Sequence, residues 1–140
     1  MVRCCPNLKN LSIYIKKDET EMFRDIFNDH QDLESVSICD AMDEEEILRM
    51  VTKYSPKNFH RLNIWKFERS ELLPETLESF FISWGNRTPR KSLILIVTYD
   101  GGDFFAKENL MVIEKYKRLG IVKEFNIESY KSEKFLFDLD

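Results

Sequence analysis

The stretch CCPNLKNLSIYI, Cys4 to Ile15, places Leu8, Leu11 and Ile13 at steps of three and then two residues. A helical stripe needs steps of three and four, and a plain strand needs steps of two throughout. The reading that fits is a turn residue, Leu8, leading into a short strand with Leu11 and Ile13 on one face. The pattern recurs. Leu33-x-x-Val36-x-Ile38, Phe59-x-x-Leu62-x-Ile64 and Val122-x-x-Phe125-x-Ile127 share its spacing. From one motif to the next the steps are 25, 26 and 63 residues, so the last gap has room for one more unit. KSLILIVTY, Lys91 to Tyr99, fills it. Ser92-x-x-Leu95-x-Val97 is the best register there and turns Leu93, Leu95 and Val97 inward. The opposite parity, with Ile94 and Ile96 inside, stays open at this point.

Between these runs the apolar period becomes helical. The stripes are Met22, Phe23, Ile26 and Phe27; Ile47, Leu48, Val51 and Tyr54; Leu77, Phe80, Phe81 and Trp84; and Leu110, Ile113 and Tyr116. Asp43-x-x-Glu46 resembles a capping box with Asp as the cap. Pro74 suits a first helical residue, and Gly85 and Gly120 suit left-handed helix ends. The predicted order is β-α-β-α-β-α-β-α-β, with strands near 11–15, 35–39, 61–66, 92–99 and 123–128. No unit can bury its apolar faces alone, so the units must stack, with strands as a parallel sheet on one side and helices on the other. Cys5, three residues before Leu8, is expected as a small buried residue, with His30, Pro56 and Leu119 as its counterparts.

With 140 residues the chain is one domain or a piece of one, and its 43% hydrophobic residues, eleven of them Phe, suffice for a core. That content argues against disorder. A net charge of −4 argues against nucleic acid as the main partner, since phosphate binding calls for a basic surface. No apolar run reaches membrane-spanning length, and the first residues lack the apolar core of a signal peptide. Three cysteines, two of them adjacent, make a poor disulfide framework. They fit a reducing intracellular compartment, cytoplasm or nucleus.

Cys5-x-x-Leu8-x-x-Leu11-x-Ile13 resembles the cysteine-containing class of leucine-rich repeat. CPNLKNLSI, Cys5 to Ile13, is especially similar to repeats of fungal F-box/leucine-rich-repeat proteins. The resemblance covers roughly Cys4 to Tyr130. It implies an α/β solenoid with the parallel sheet on the concave side and helices on the convex side. It also implies a surface that recruits a protein substrate. In that family a separate F-box docks on the adaptor of a cullin-type ubiquitin ligase. No helical trio of F-box type precedes the first repeat here, so the adaptor contact is not expected from this chain itself. The resemblance implies one leucine-rich-repeat domain over 1–140, about five repeats, as the C-terminal part of a longer solenoid. The first repeat has no capping element, which predicts self-association or marginal stability unless upstream repeats cover it. The tail Phe135, Leu136, Phe137 and Leu139 can cap the other end.

Several constellations have plain structural readings. Asp43-Glu44-Glu45-Glu46 suits a helix N-terminus, where carboxylates are favoured. Asp100-Gly101-Gly102-Asp103 lacks the spacing and Lys of a phosphate loop and reads as a turn. Cys4, Cys5, Cys39, His30 and His60 lack zinc-ligand spacing. Arg87, Arg90 and Lys91 read as a solvated turn, and the outer helix faces, rich in Glu and Lys, as merely solvated. No nucleophile or acid–base motif stands out, so neither an enzyme nor a cofactor or metal is expected.

The strand face opposite the core is different. If Leu11 and Ile13 point inward, alternation sends Asn10, Ser12 and Tyr14 outward. The matching sets are Ser35, Ser37 and Cys39; Arg61, Asn63 and Trp65; Ile94 and Ile96; and Glu124, Asn126 and Glu128. An exposed Trp65 beside Ile94 and Ile96 has the composition of a protein-binding hot spot. The candidate partner-binding residues are Ser12, Tyr14, Ser37, Cys39, Asn63, Trp65, Ile94, Ile96, Asn126 and Glu128. A competing reading folds the apolar tail over that patch. The expected function is protein recognition, as substrate-binding repeats of an F-box-type ligase receptor. The rivals are a small α/β enzyme with its site at the strand ends, and a purely structural capping segment.

Overall fold

The computed structural model describes residues 7–14, 16, 19–39, 44–66, 72–87, 91–100 and 107–130. Cys4, Cys5, Asp43, Arg90, Gly101 to Asp103 and the tail Phe135 to Leu139 lie outside the described residues. Within them run β1 (Asn10–Tyr14), α1 (Thr20–Asp29), β2 (Ser35–Cys39), α2 (Glu44–Tyr54), β3 (Arg61–Lys66), α3 (Pro74–Gly85), β4 (Leu93–Asp100), α4 (Lys107–Arg118) and β5 (Val122–Tyr130). All neighbouring strands are parallel, in the order β1-β2-β3-β4-β5. The described residues form an α/β fold of five parallel strands and four helices.

The motif residues align across the sheet. Leu11, Val36, Leu62, Leu95 and Phe125 form one row, and Ile13, Ile38, Ile64, Val97 and Ile127 the next. These rows share one core with Phe23, Phe27, Ile47, Leu77, Phe81 and Ile113 from all four helices, so the helices cover a single sheet face. Consecutive turns also repeat a bond pattern. Lys9 O accepts from the N–H groups of Glu34 and Ser35, and Glu34 O accepts from those of His60 and Arg61. Burial is complete at the centre, where Val36, Ile38 and Leu62 are sealed. At the margins Leu11, Ile13, Phe125 and Ile127 are half-buried, on strands with a described neighbour on one side.

In β4 the inward residues are Leu93, Leu95 and Val97, which closes the alternative parity. The first motif position in that unit belongs to Leu93 rather than Ser92. A register shift lets Leu93 pair with Val122 while Ile94 pairs with Glu124. Ser92 instead donates its hydroxyl to Gly120 O at 2.8 Å.

Rings run continuously through the helical layer. Phe23 and Phe27 stand 4.7 Å apart, Phe27 and Phe59 5.3 Å, and Phe59 and Trp84 6.3 Å. Trp84 meets Phe80 at 6.0 Å, Phe80 meets Phe81 at 5.7 Å, and Phe81 meets Tyr116 at 5.4 Å. The α3 stripe is buried as its spacing predicts.

Five local expectations change. Met22 is 40% exposed, one residue and so about 100° round the helix from Phe23. Leu110 is 42% exposed, and the α4 stripe is Asn109, Ile113 and Tyr116. Steps of four and three keep one face, whereas two steps of three drift off it. Asn109 earns its interior place by donating its amide to Leu72 O at 2.8 Å. Leu119 is exposed rather than a buried counterpart of Cys5, although His30 and Pro56 are buried. Gly120 has φ 80°, but Gly85 is not left-handed. Gly85 ends α3 under Ile121, whose Cδ1 would stand 2.8 Å from an added Cβ. Finally, the outer helix faces also carry apolar side chains, among them Ile82 and Met111.

Pro74 opens α3 as predicted, and the acidic run opens α2, with Glu44 itself buried. His30 is 1% exposed and neither ring nitrogen is hydrogen-bonded. A buried polar group without a bond costs free energy that an apolar side chain of similar size avoids. His30→Leu is therefore expected to stabilise the fold by about 1 kcal/mol, read as a higher denaturation midpoint with an unchanged slope. A lower midpoint would show that the imidazole is bonded.

Candidate functional site

The sheet face turned away from the helices carries three rungs set by parallel register. The first is Asn10, Ser35, Arg61, Ile94 and Glu124. The second is Ser12, Ser37, Asn63, Ile96 and Asn126. The third is Tyr14, Cys39, Trp65, Thr98 and Glu128. Register thus brings the candidate residues onto one surface. The side chain of Glu128 lies outside the described ones.

The residues described on the edge strands of this face are exposed, and so is Arg61 on central β3. Tyr14, on edge strand β1, is 55% exposed. Ser12 and Asn126 are also exposed, while Ser37, Cys39, Asn63, Ile94 and Ile96 are half-buried. Trp65 is half-buried too, not exposed as its composition suggested. It sits in a central strand between Cys39 and Thr98, and neighbouring strands are only about 4.8 Å apart, so both flank its indole. Thr98, next to Trp65 on the same rung, is 3% exposed.

The chemistry of the face is mixed. Asn63 donates its amide to Ser37 Oγ at 2.9 Å, and its own Oδ1 is buried without a bond. Arg61 and Glu124 flank Ile94 with opposite charges. Hydroxyl and amide groups thus lie on the β1–β3 side and aliphatic groups on β4. Such a surface can match a partner that is apolar in one strip and hydrogen-bonding in the next. Among the described residues no group of three or more His, Cys, Asp or Glu is placed to hold a metal ion. No described helix is long and apolar enough to cross a membrane.

The opposite face has its own features. A groove of about 370 Å³ separates α2 from α3, floored by Leu48 and Phe80 and rimmed by Thr52, Thr76, Ser79 and Ser83. Between α3 and α4, Glu78 accepts from Lys115 Nζ at 3.0 Å and from Tyr116 OH at 2.9 Å. These bonds, Lys115 first, hold the Glu78 carboxyl below its ordinary pKa. The stabilisation they give is present above the ordinary carboxylate pKa and is lost as pH falls through the lowered value.

Arg87 is not the solvated turn residue its neighbours in sequence suggest. Its guanidinium stacks 4.3 Å from the Trp84 ring. It donates to Ser55 O at 3.1 Å, to Pro56 O at 2.8 Å and to Ser55 Oγ. These acceptors follow directly on α2, so Arg87 caps the negative end of one unit's helix from the next unit. Burial lowers its pKa. The signal in the sequence was Arg87 three residues after Trp84, a spacing that brings side chains together on a helix. No family model, curated protein or solved structure matches the chain.

Proposed function

We propose that this chain is a protein-recognition module of leucine-rich-repeat type. It binds its partner on the sheet face turned away from the helices and serves as substrate-binding repeats of an F-box-type ubiquitin ligase receptor. The observation that carries the reading is the third rung, where register lines up Tyr14, Cys39 and Trp65 across three strands. Two aromatic side chains at fixed separation, with Ile96 one rung from Trp65, are the kind of anchor that dominates protein interfaces. The strictly sequential parallel order and the aligned L-x-x-L-x-I rows support a repeat solenoid. The module binds rather than catalyses, and its ligase role comes through an adaptor-binding segment of the receptor.

Trp65→Ala is expected to weaken partner binding by about 2 kcal/mol or more. Its effect on fold stability should be smaller, because the ring lies on the face away from the core. The experiment is affinity capture with the wild-type chain, Trp65→Ala, Ile96→Asp and a helix-face control, Ile82→Asp. A partner lost with the first two variants and kept with the control supports the reading. A partner lost only with Ile82→Asp places recognition on the helices instead.

A further inference from the structure

The first rung of the sheet face holds two opposite charges that no described residue neutralises. Arg61 stands on β3 and Glu124 on β5, both exposed, with Ile94 half-buried between them on β4. The ion pairs among the described residues join Arg24 to Asp25, Arg49 to Glu46 and Lys115 to Glu78, and neither Arg61 nor Glu124 enters one. Two inter-strand spacings hold their backbones about 10 Å apart. Ile96, also half-buried, carries the aliphatic strip into the second rung, between Asn63 and the exposed Asn126.

That spacing selects the shape of an occupant lying across the strands. In an extended segment, side chains on one face recur at about 6.8 Å and then about 13.6 Å, and neither matches. In a helix, residues seven apart lie about 10.5 Å apart on one face, with the third and fourth positions between them. An acidic and a basic residue two turns apart would therefore reach Arg61 and Glu124 together. An aliphatic residue midway would land on Ile94.

We propose that the sheet face receives an amphipathic helix of the partner, laid across β3, β4 and β5. Its acidic residue meets Arg61, its basic residue seven positions away meets Glu124, and its aliphatic residues cover Ile94 and Ile96. The inference rests on the recognition reading and adds the partner's shape and charge pattern. Helix α4 of a second copy is the competing occupant, since Lys107, Met111 and Glu114 are exposed at the same spacing. The net charge of −4 on each copy opposes that pairing.

The probe is a displayed library of alanine-rich helical peptides of about twenty residues, varied at positions i, i+3, i+4 and i+7. It is selected separately on the full wild-type chain, on Arg61→Glu and on Glu124→Lys. The wild type should enrich one acidic and one basic residue seven apart with an aliphatic residue between. Arg61→Glu should enrich two basic residues and Glu124→Lys two acidic ones. In fluorescence anisotropy, Arg61→Glu should bind the wild-type-selected peptide at least tenfold more weakly, and a Lys in place of the peptide's acidic residue should restore binding. No enrichment, or the same peptides from all three chains, would overturn the proposal. So would wild-type self-association that Arg61→Glu abolishes, which would seat a second copy on the face. Selected peptides that ignore both charges but are lost with Trp65→Ala and Ile96→Asp would overturn the helix pattern and keep the recognition reading. Peptides indifferent to every variant on the face would remove both. Circular dichroism of each variant confirms that it folds.

Discussion

Leu62→Asp is expected to abolish the folded state, while Asn63→Asp, its neighbour on the same strand, should cost only about 1–3 kcal/mol. Leu62 is fully buried in central strand β3, in register with Val36 and Leu95. A carboxylate there has no cation to meet among its aligned neighbours. An unpaired buried charge costs several kcal/mol, on top of the lost leucine packing. The sum is comparable with the whole stability of a typical domain, about 5–15 kcal/mol. Asn63 points the other way, and its partner Ser37 can donate to a carboxylate as readily as it accepts from an amide. Far-ultraviolet circular dichroism and urea denaturation of the two variants would decide. Equal losses at both positions, or the greater loss at 63, would reverse the parity of the sheet.

Trp84→Ala should destabilise by about 4 kcal/mol, near the upper range for aromatic truncation in a core. Trp84 is 1% exposed and joins the rings of the first units to those of the last. Its indole N–H donates to Lys91 O at 2.7 Å, tying the end of α3 to the approach of β4. Its ring also supports the guanidinium of Arg87, so truncation loosens the cap on α2. Trp84→Phe keeps most of the ring contact and loses the N–H bond, so about half the penalty is expected. The two denaturation midpoints separate packing from hydrogen bonding. A cost below about 1.5 kcal/mol for the alanine variant would mean that the neighbouring rings collapse into the space.

The elements could be read from the sequence because two periods alternate without interference. Leu33, Val36 and Ile38 announce a strand, and Leu77, Phe80, Phe81 and Trp84 announce a helix, each at a spacing the other geometry forbids. Sequential pairing followed from units too small to be stable alone. Errors came where burial is decided by a partner distant in sequence. Asn109 displaces Leu110 from the α4 interior because Leu72 offers it a carbonyl. Gly85 serves close packing against Ile121 rather than a left-handed turn. Arg87 is drawn inward by two carbonyls more than thirty residues earlier. At the candidate site, alternation placed the right side chains on one face. It could not grade their exposure, which depends in part on whether a strand is central, like that of Trp65, or marginal, like that of Tyr14.

Because chain order equals strand order, β1 and β5 stand at opposite margins of the sheet. Tension between those margins therefore pulls across the strands, along the hydrogen bonds, rather than in shear along a whole ladder. Bonds under such a load open one ladder at a time. Yielding begins at the margins, where the side chains are half-buried, and reaches the sealed centre last. Each step pays out one strand and one helix, so the molecule lengthens in instalments of about one unit. Under load it behaves as a graded spring, not as an all-or-none latch.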